Sequence, residues 1–282
     1  MQFGEVHEQV KDTHGIWQEL IGLQLLQMVF AVVICAPPCF LVMHRVMLCS
    51  STYRDLQGQD RMIVCQHSVY ATVFGLSMIP QTVLFCIAMF KGWTGDYLAS
   101  RQFTALCGIF MATRAIMYLI EGSVRSVIKW SWLLVVHHEL FFLIIVMALW
   151  TTNTAVLGIG LVLDVFACHE APLYVALVAY RLRWPASMTQ ALMWFACVWY
   201  LITRVFQTIL VFCMVVGFAR MSTINTTPEF IVTVILFGAL TFIQAYTLVI
   251  YHAMYRKLVS KARMDLLPPA GTAASAAAEL KG

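Results

Sequence analysis

Seven long apolar runs decide what this chain can fold into. They fall at about 20–48, 62–90, 99–122, 130–150, 154–180, 187–218 and 229–255. Crossing ~30 Å of hydrocarbon at ~1.5 Å per residue takes about 20 residues, and every run meets that length. Hydrocarbon offers no partner to a backbone amide, so a crossing segment is either a helix or a strand of a closed barrel. The runs are far longer than the ~10-residue alternating strands of a barrel. The expected fold is therefore all-α, a polytopic membrane protein with seven transmembrane helices. Composition agrees: 61% hydrophobic residues, 11% charged residues and a mean hydropathy of +0.81 lie outside the range of soluble domains.

Orientation follows from the connections. Arg45, Arg54, Arg61, Arg125, Lys129, Arg181, Arg183, Arg256, Lys257, Lys261, Arg263 and Lys281 fall on one side, and Lys11, Lys91, Arg101 and Arg220 on the other. Twelve cations against four put the richer side, with the C-terminus, in the cytosol and the N-terminus in a lumen or outside. The sequon Asn225-Thr226-Thr227 then falls in a lumenal connection. The nine cysteines sit mostly within the runs without paired CxxC spacing, and read as small apolar residues. From Arg256 the chain becomes a basic patch and then LLPPAGTAASAAAELKG, a low-complexity tail suited to lying near anionic headgroups. The division is thus 1–59 (N-terminus, first helix and cytosolic loop), 60–256 (six helices) and 257–282 (tail). Nothing suggests a nucleic-acid partner.

Charges inside hydrocarbon cost several kcal/mol and are normally paired or functional. Residues 132–150, WLLVVHHELFFLIIVMALW, carry His137 and His138 side by side. Counting ~1.5 Å per residue from the cytosolic end of each run puts His67 roughly 9 Å deep, Glu121 roughly 6 Å, and His137 and His138 roughly 11–12 Å. The same count gives roughly 15–17 Å for His169 and Glu170, roughly 16 Å for Arg114 and roughly 6 Å for His252. Asp164 and Arg204 both come out roughly 24–27 Å deep, which makes them candidates to pair with each other. Neighbours on a helix point about 100° apart, so one of His137 and His138 is expected to face the interior and the other to support it. His137, His138, Glu170, Glu121 and His67 are expected to share an internal cavity. The bland alternative is that these groups only tie helices together by hydrogen bonds.

Several stretches, in this order, resemble a known family: DRMIVCQHSVYA, YLIEGSVRSVIKW, the HH run, DVFACHEAPLYVALVAYRLRWP and YLITRVFQTILVF. Together they look like the TLC domain, over about residues 60–256, with His137-His138, Glu170 and Pro172 of HEAP, and Arg204 matching best. The family includes ceramide synthases, translocation-associated membrane proteins and small TLC-domain proteins linked to lipid composition and trafficking. The resemblance implies a six-helix barrel around a lipid cavity, with the first helix outside, in the endoplasmic reticulum membrane. In the ceramide synthase branch, a histidine pair and a downstream acid carry N-acylation of a sphingoid base by acyl-CoA, and the matching positions are His137, His138 and Asp164. Here no His precedes Asp164, no Lys follows Glu170, and His67 stands one residue from the family's entry histidine. These departures imply the small TLC-domain branch.

The expected function is lipid metabolism or membrane lipid homeostasis through a lipid-binding cavity. The alternatives are acyl-CoA-dependent N-acylation of a sphingoid base and a trafficking or translocation role. In the catalytic alternative a histidine acts as base or nucleophile while a carboxylate on a facing helix orients its ring, Asp164 first and Glu170 as substitute. A break near Gly158 and Gly160 would bring Asp164 closer. His67, Glu121, His169, Glu170 and Arg204 support the cavity. No cofactor is needed, acyl-CoA being a substrate. No HxxxH spacing holds two imidazoles on one face, which argues against a metal site.

Overall fold

The computed structural model describes residues 37–94, part of 110–121, and residues 132–150, 154–219 and 228–265. Most of the first run, the sequon, Arg125, Lys129 and the tail beyond 265 lie outside them. The described residues are helical, without strands. Residues 37–47 are helical, followed by α1 (Ser51–Asp55), α2 (Gly58–Thr94), helical residues within 110–121, α3 (Trp132–Trp150), α4 (Thr154–Cys168), α5 (Ala171–Arg181), α6 (Ala186–Ala219) and α7 (Pro228–Asp265). Gly58–Ile87, Gly158–Arg181, Ala186–Gly217 and Pro228–Ser260 are long and apolar enough to cross a membrane, and Val135–Ala148 is a shorter apolar helix. These segments make the protein a membrane-embedded helical one.

Local chemistry explains several features of these helices. Ser50 caps α1, its hydroxyl accepting from Tyr53 N at 3.4 Å. Threonines within the spans settle their hydroxyls on their own helix: Thr72, Thr208, Thr241 and Thr247 each donate to the carbonyl four residues back at 2.8–2.9 Å. These four hydroxyls are thereby satisfied without a partner from hydrocarbon. Helix α5 ends where Arg183 takes a left-handed conformation (φ 53°) and Trp184 N reaches back to Ala179 O at 3.0 Å, after which Pro185 stops the chain from continuing.

The fifth run is broken. Helix α4 passes intact through Gly158 and Gly160, where a break would have brought Asp164 closer to the histidines, and ends at Cys168; His169 and Glu170 form a turn before α5. Pro172 at the start of α5 has no N–H to offer Cys168 O, which would be its acceptor in a continuous helix.

This broken span is also the central one. Its apolar window is 67% buried, against 17–28% for the other three long spans. Helix α4 packs against α2, α3, α6 and α7, and α5 packs against α2 and α6. Two glycines permit the approach. A Cβ on Gly160 would collide with Ala148 Cβ of α3, and one on Gly158 would meet the end of Met214 of α6.

At one end of the bundle, Tyr53, Val64 and Leu182 form a small core joining α1, α2 and the α5–α6 turn. Tyr53 is sealed there, 2.8 Å from His44 Nδ1, with its hydroxyl donating to Arg61 O at 3.3 Å. Burial, reinforced by the nearby Cys65, pushes its phenol up to about 12. Arg181 Nη1 reaches Asp60 Oδ1 at 3.1 Å across the same end, and Gln190 Nε2 of α6 donates to Leu258 O of α7 at 3.1 Å.

Candidate functional site

Polar side chains from seven helical segments meet inside the bundle and form three linked layers. Nearest the Tyr53 end, Tyr174 of α5 donates to Glu121 Oε2 at 3.4 Å, and His138 Nε2 of α3 lies 3.8 Å from the same oxygen. The ring of His67 sits 5.5 Å from that of Tyr174. In the middle layer Glu170 accepts from Tyr118 Oη at 3.1 Å on one oxygen and from Arg204 Nη2 on the other. Arg204 also donates to Gln207, whose amide reaches Gln244 of α7 at 3.4 Å. In the far layer Arg114 Nε meets Asp164 Oδ1 at 3.4 Å, while its Nη2 serves Gln81 Oε1 at 3.1 Å and Cys168 Sγ at 2.5 Å.

Aromatic faces wall these charges. The Arg114 guanidinium lies 3.9 Å from the Phe74 ring centre and that of Arg204 lies 4.8 Å from Tyr200, geometries in which the ring quadrupole attracts the cation. Tyr118 joins the layers, its hydroxyl on Glu170 and its ring 4.6 Å from that of His138.

His67, Glu121, His137, His138, Asp164, Glu170 and Arg204 are all buried. The histidine pair differs from expectation in one respect. Although their directions diverge, His137 and His138 are both enclosed, at 7% and 3% exposure, because α3 packs on α4 along one side and α7 along another.

The expected Asp164–Arg204 pair does not form. Asp164 is held by Arg114, and Arg204 by Glu170. The orienting carboxylate expected for the histidines is displaced for the same reason: Glu121, rather than Asp164 or Glu170, lies beside His138. Depth counted along uninterrupted helices is the source of both corrections, since the turn at 169–170 resets the register of Asp164 against its neighbours. His169 is not gathered into the three layers; it sits at the break against Thr82 and Trp199.

Several participants were not anticipated as site residues: Arg114, Tyr118, Tyr174, Gln81, Gln207, Gln244 and Cys168. The glutamines were the findable ones, because an amide in hydrocarbon needs a partner by the same reasoning that flagged the charges. The tyrosines and Cys168 carry no such signal, being at home in apolar runs.

Among the described residues, two buried guanidiniums face three buried carboxylates: Arg114 and Arg204 against Asp164, Glu170 and Glu121. The third carboxylate is the one beside His138. Donors remain to be used. Among the described residues, Arg114 Nη1 and Arg204 Nε are buried without a hydrogen-bond partner, as is His137 Nδ1. The core thus offers N–H donors to an acceptor oxygen and a histidine–carboxylate pair for moving a proton.

Fold and core together define a membrane-embedded helical protein with an ionisable interior. Comparison with family models, with curated proteins and with solved structures finds no match for the chain.

Proposed function

We propose that the chain is a TLC-type protein of membrane lipid homeostasis, most at home in the endoplasmic reticulum, whose buried core receives the polar end of a lipid. The six runs over 60–256 form the domain, and the lipid enters beside the broken span. The observation that carries this reading is the unspent N–H of Arg114 and of Arg204 within a core of spans. A buried donor without an acceptor costs ~1–3 kcal/mol, a penalty that an ester, amide or carboxylate oxygen of a lipid would relieve.

The test is mass spectrometry of lipid retained by the full-length protein after gentle extraction. One lipid class should be enriched over bulk membrane in wild type and depleted in Arg204→Leu and His138→Ala. Retained lipid that mirrors the bulk membrane would sink the proposal.

One observation favours a catalytic version of the same reading: His138 Nε2 stands 3.8 Å from Glu121 Oε2, close enough for the carboxylate to steady an imidazolium. In that version a long-chain amine attacks an acyl-CoA thioester. The N–C bond forms, the C–S bond breaks, His138 takes the amine proton, and the thiolate leaves carrying the electron pair of the broken bond. His137 lies beside it, while Asp164 serves structure through Arg114. Product formed from acyl-CoA and amine should fall roughly 10²–10⁴-fold in His138→Ala, the usual worth of a general base. Glu121→Gln should lose more product than Asp164→Asn among folded protein. Equal product from all variants would leave the lipid-binding reading alone.

A further inference from the structure

At the break of the fifth span, outside the three-layered core, two ring nitrogens are left with complementary needs. His169 Nε2 lies 3.2 Å from Thr82 Oγ1. The Thr82 hydroxyl spends its proton on Met78 O at 2.7 Å. Its oxygen is therefore the acceptor, and His169 carries its proton on Nε2. That tautomer leaves Nδ1 as an acceptor, since a neutral imidazole has one of each. Nδ1 is buried and has no hydrogen-bond partner among the described residues.

Beside it, 5.6 Å between ring centres, stands Trp199 of α6, whose Nε1–H is a donor only and is likewise buried without a partner. An acceptor and a donor thus stand on neighbouring rings. A hydroxyl satisfies both at once, donating to Nδ1 and accepting from Nε1–H.

The niche is walled by Phe166, 5.8 Å from His169, and by Phe195, 6.0 Å from Trp199. Phe195 is 48% exposed and belongs to the apolar outer face of α6 with Ile202 and Phe206, so the niche borders the lipid-facing surface. Depth narrows the choice of ligand. Trp199 lies ~20 Å along α6 from its start, and His169 lies ~18 Å above Arg181 along α5, at ~1.5 Å per residue. Both counts put the niche well inside the hydrocarbon. A charged headgroup reaches that depth at prohibitive cost, whereas a single hydroxyl needs only the few kcal/mol that two hydrogen bonds return.

We propose that His169 and Trp199 form a binding site for the hydroxyl of a neutral, hydroxyl-headed membrane lipid, entered from the bilayer between α2 and α6. The site stands apart from the polar core and does not depend on what the core binds.

The experiment reconstitutes the full-length protein in phosphatidylcholine vesicles with photoreactive analogues of diacylglycerol, ceramide and a sterol, each against its O-methyl ether and against photoreactive phosphatidylcholine. Labelled positions are read by peptide mass spectrometry. A hydroxyl-headed probe should label residues around 79–86 and 195–206 in preference to its methyl ether and to phosphatidylcholine, and which of the three does so identifies the source. Labelling should fall roughly threefold to tenfold in Trp199→Phe, the loss expected for one hydrogen bond with the ring retained. His169→Phe should do the same, and Thr82→Val, which frees the tautomer without touching the niche, should weaken labelling while leaving the fold intact. Equal labelling by phosphatidylcholine, labelling unchanged in Trp199→Phe and Thr82→Val, or no labelling there by any probe would overturn the site, the last by leaving the niche to water.

Discussion

Glu170 holds two unlike donors, the Tyr118 phenol on one oxygen and the Arg204 guanidinium on the other. It sits at the turn where α4 stops, so its backbone is fixed by the break and its side chain by the pair. Removing one partner of a buried ion pair strands the other, at about 3–5 kcal/mol, whereas replacing both with apolar groups of similar size is often neutral. Arg204→Met is therefore expected to lower stability by about that amount. Adding Glu170→Leu should recover most of the loss, because no bare carboxylate then remains. Thermal unfolding in detergent across the cycle measures the coupling; additive losses would mean that the two side chains do not act as a pair. The ionisable residues of this core were legible as a group, since each breaks an apolar run. Their pairing was not. Asp164 and Arg204 matched in counted depth, yet which helix lies beside which is a tertiary fact, and Arg114 and Glu170 were the nearer partners.

At the scale of elements, helix existence was legible and helix continuity was not. Every run from residue 62 onward has helix in the described residues, because apolar length alone forces it. The fifth run looked continuous at DVFACHEAPLY, and a break was considered only at its glycines, as one way to bring Asp164 closer. Those glycines instead bring helices together. A Cβ at Gly160 would strike the Cβ of Ala148 and come within 3.1 Å of Met111 Cε, whereas at Gly158 the obstacle is only the flexible tip of Met214. Gly160→Ala is expected to destabilise by ~1–3 kcal/mol, since a rigid neighbour has to move. Gly158→Ala should cost less, and the better helix propensity of alanine, worth up to ~1 kcal/mol, offsets part of it. The difference in melting temperature between the two variants checks this. A larger loss at Gly158 would mean that α4 packs on α6 more tightly than on α3. Pro172, two residues past the turn, was the signal that marked the real break.

Across the whole molecule, the contacts at one end of the bundle bear on how the chain sits in the membrane. The small core of Tyr53, Val64 and Leu182, the Asp60–Arg181 pair and the Gln190–Leu258 contact tie three places together: the connection before α2, the α5–α6 turn and the C-terminal part of α7. Those places carry Arg45, Arg54, Arg61, Arg181, Arg183, Arg256 and Lys257, all among the twelve cations that the sequence assigns to one side. The packing and the charge count therefore select the same end, although neither was derived from the other. Exposed Tyr180 and Trp184 stand at that end, where amphipathic rings favour the headgroup level. The end rich in Lys and Arg is expected to face the cytosol, which also places Glu121, His138 and Tyr174 in the layer nearest that face. Protease added outside sealed microsomes should then remove a tag fused after Gly282. A cysteine-specific, membrane-impermeant reagent should meanwhile modify a cysteine placed at Arg54, in the connection before α2, from the same side. Protection of both positions would invert the molecule and turn its core toward the lumen. Protection of one alone would mean that the contacts joining the three places do not exist in the membrane.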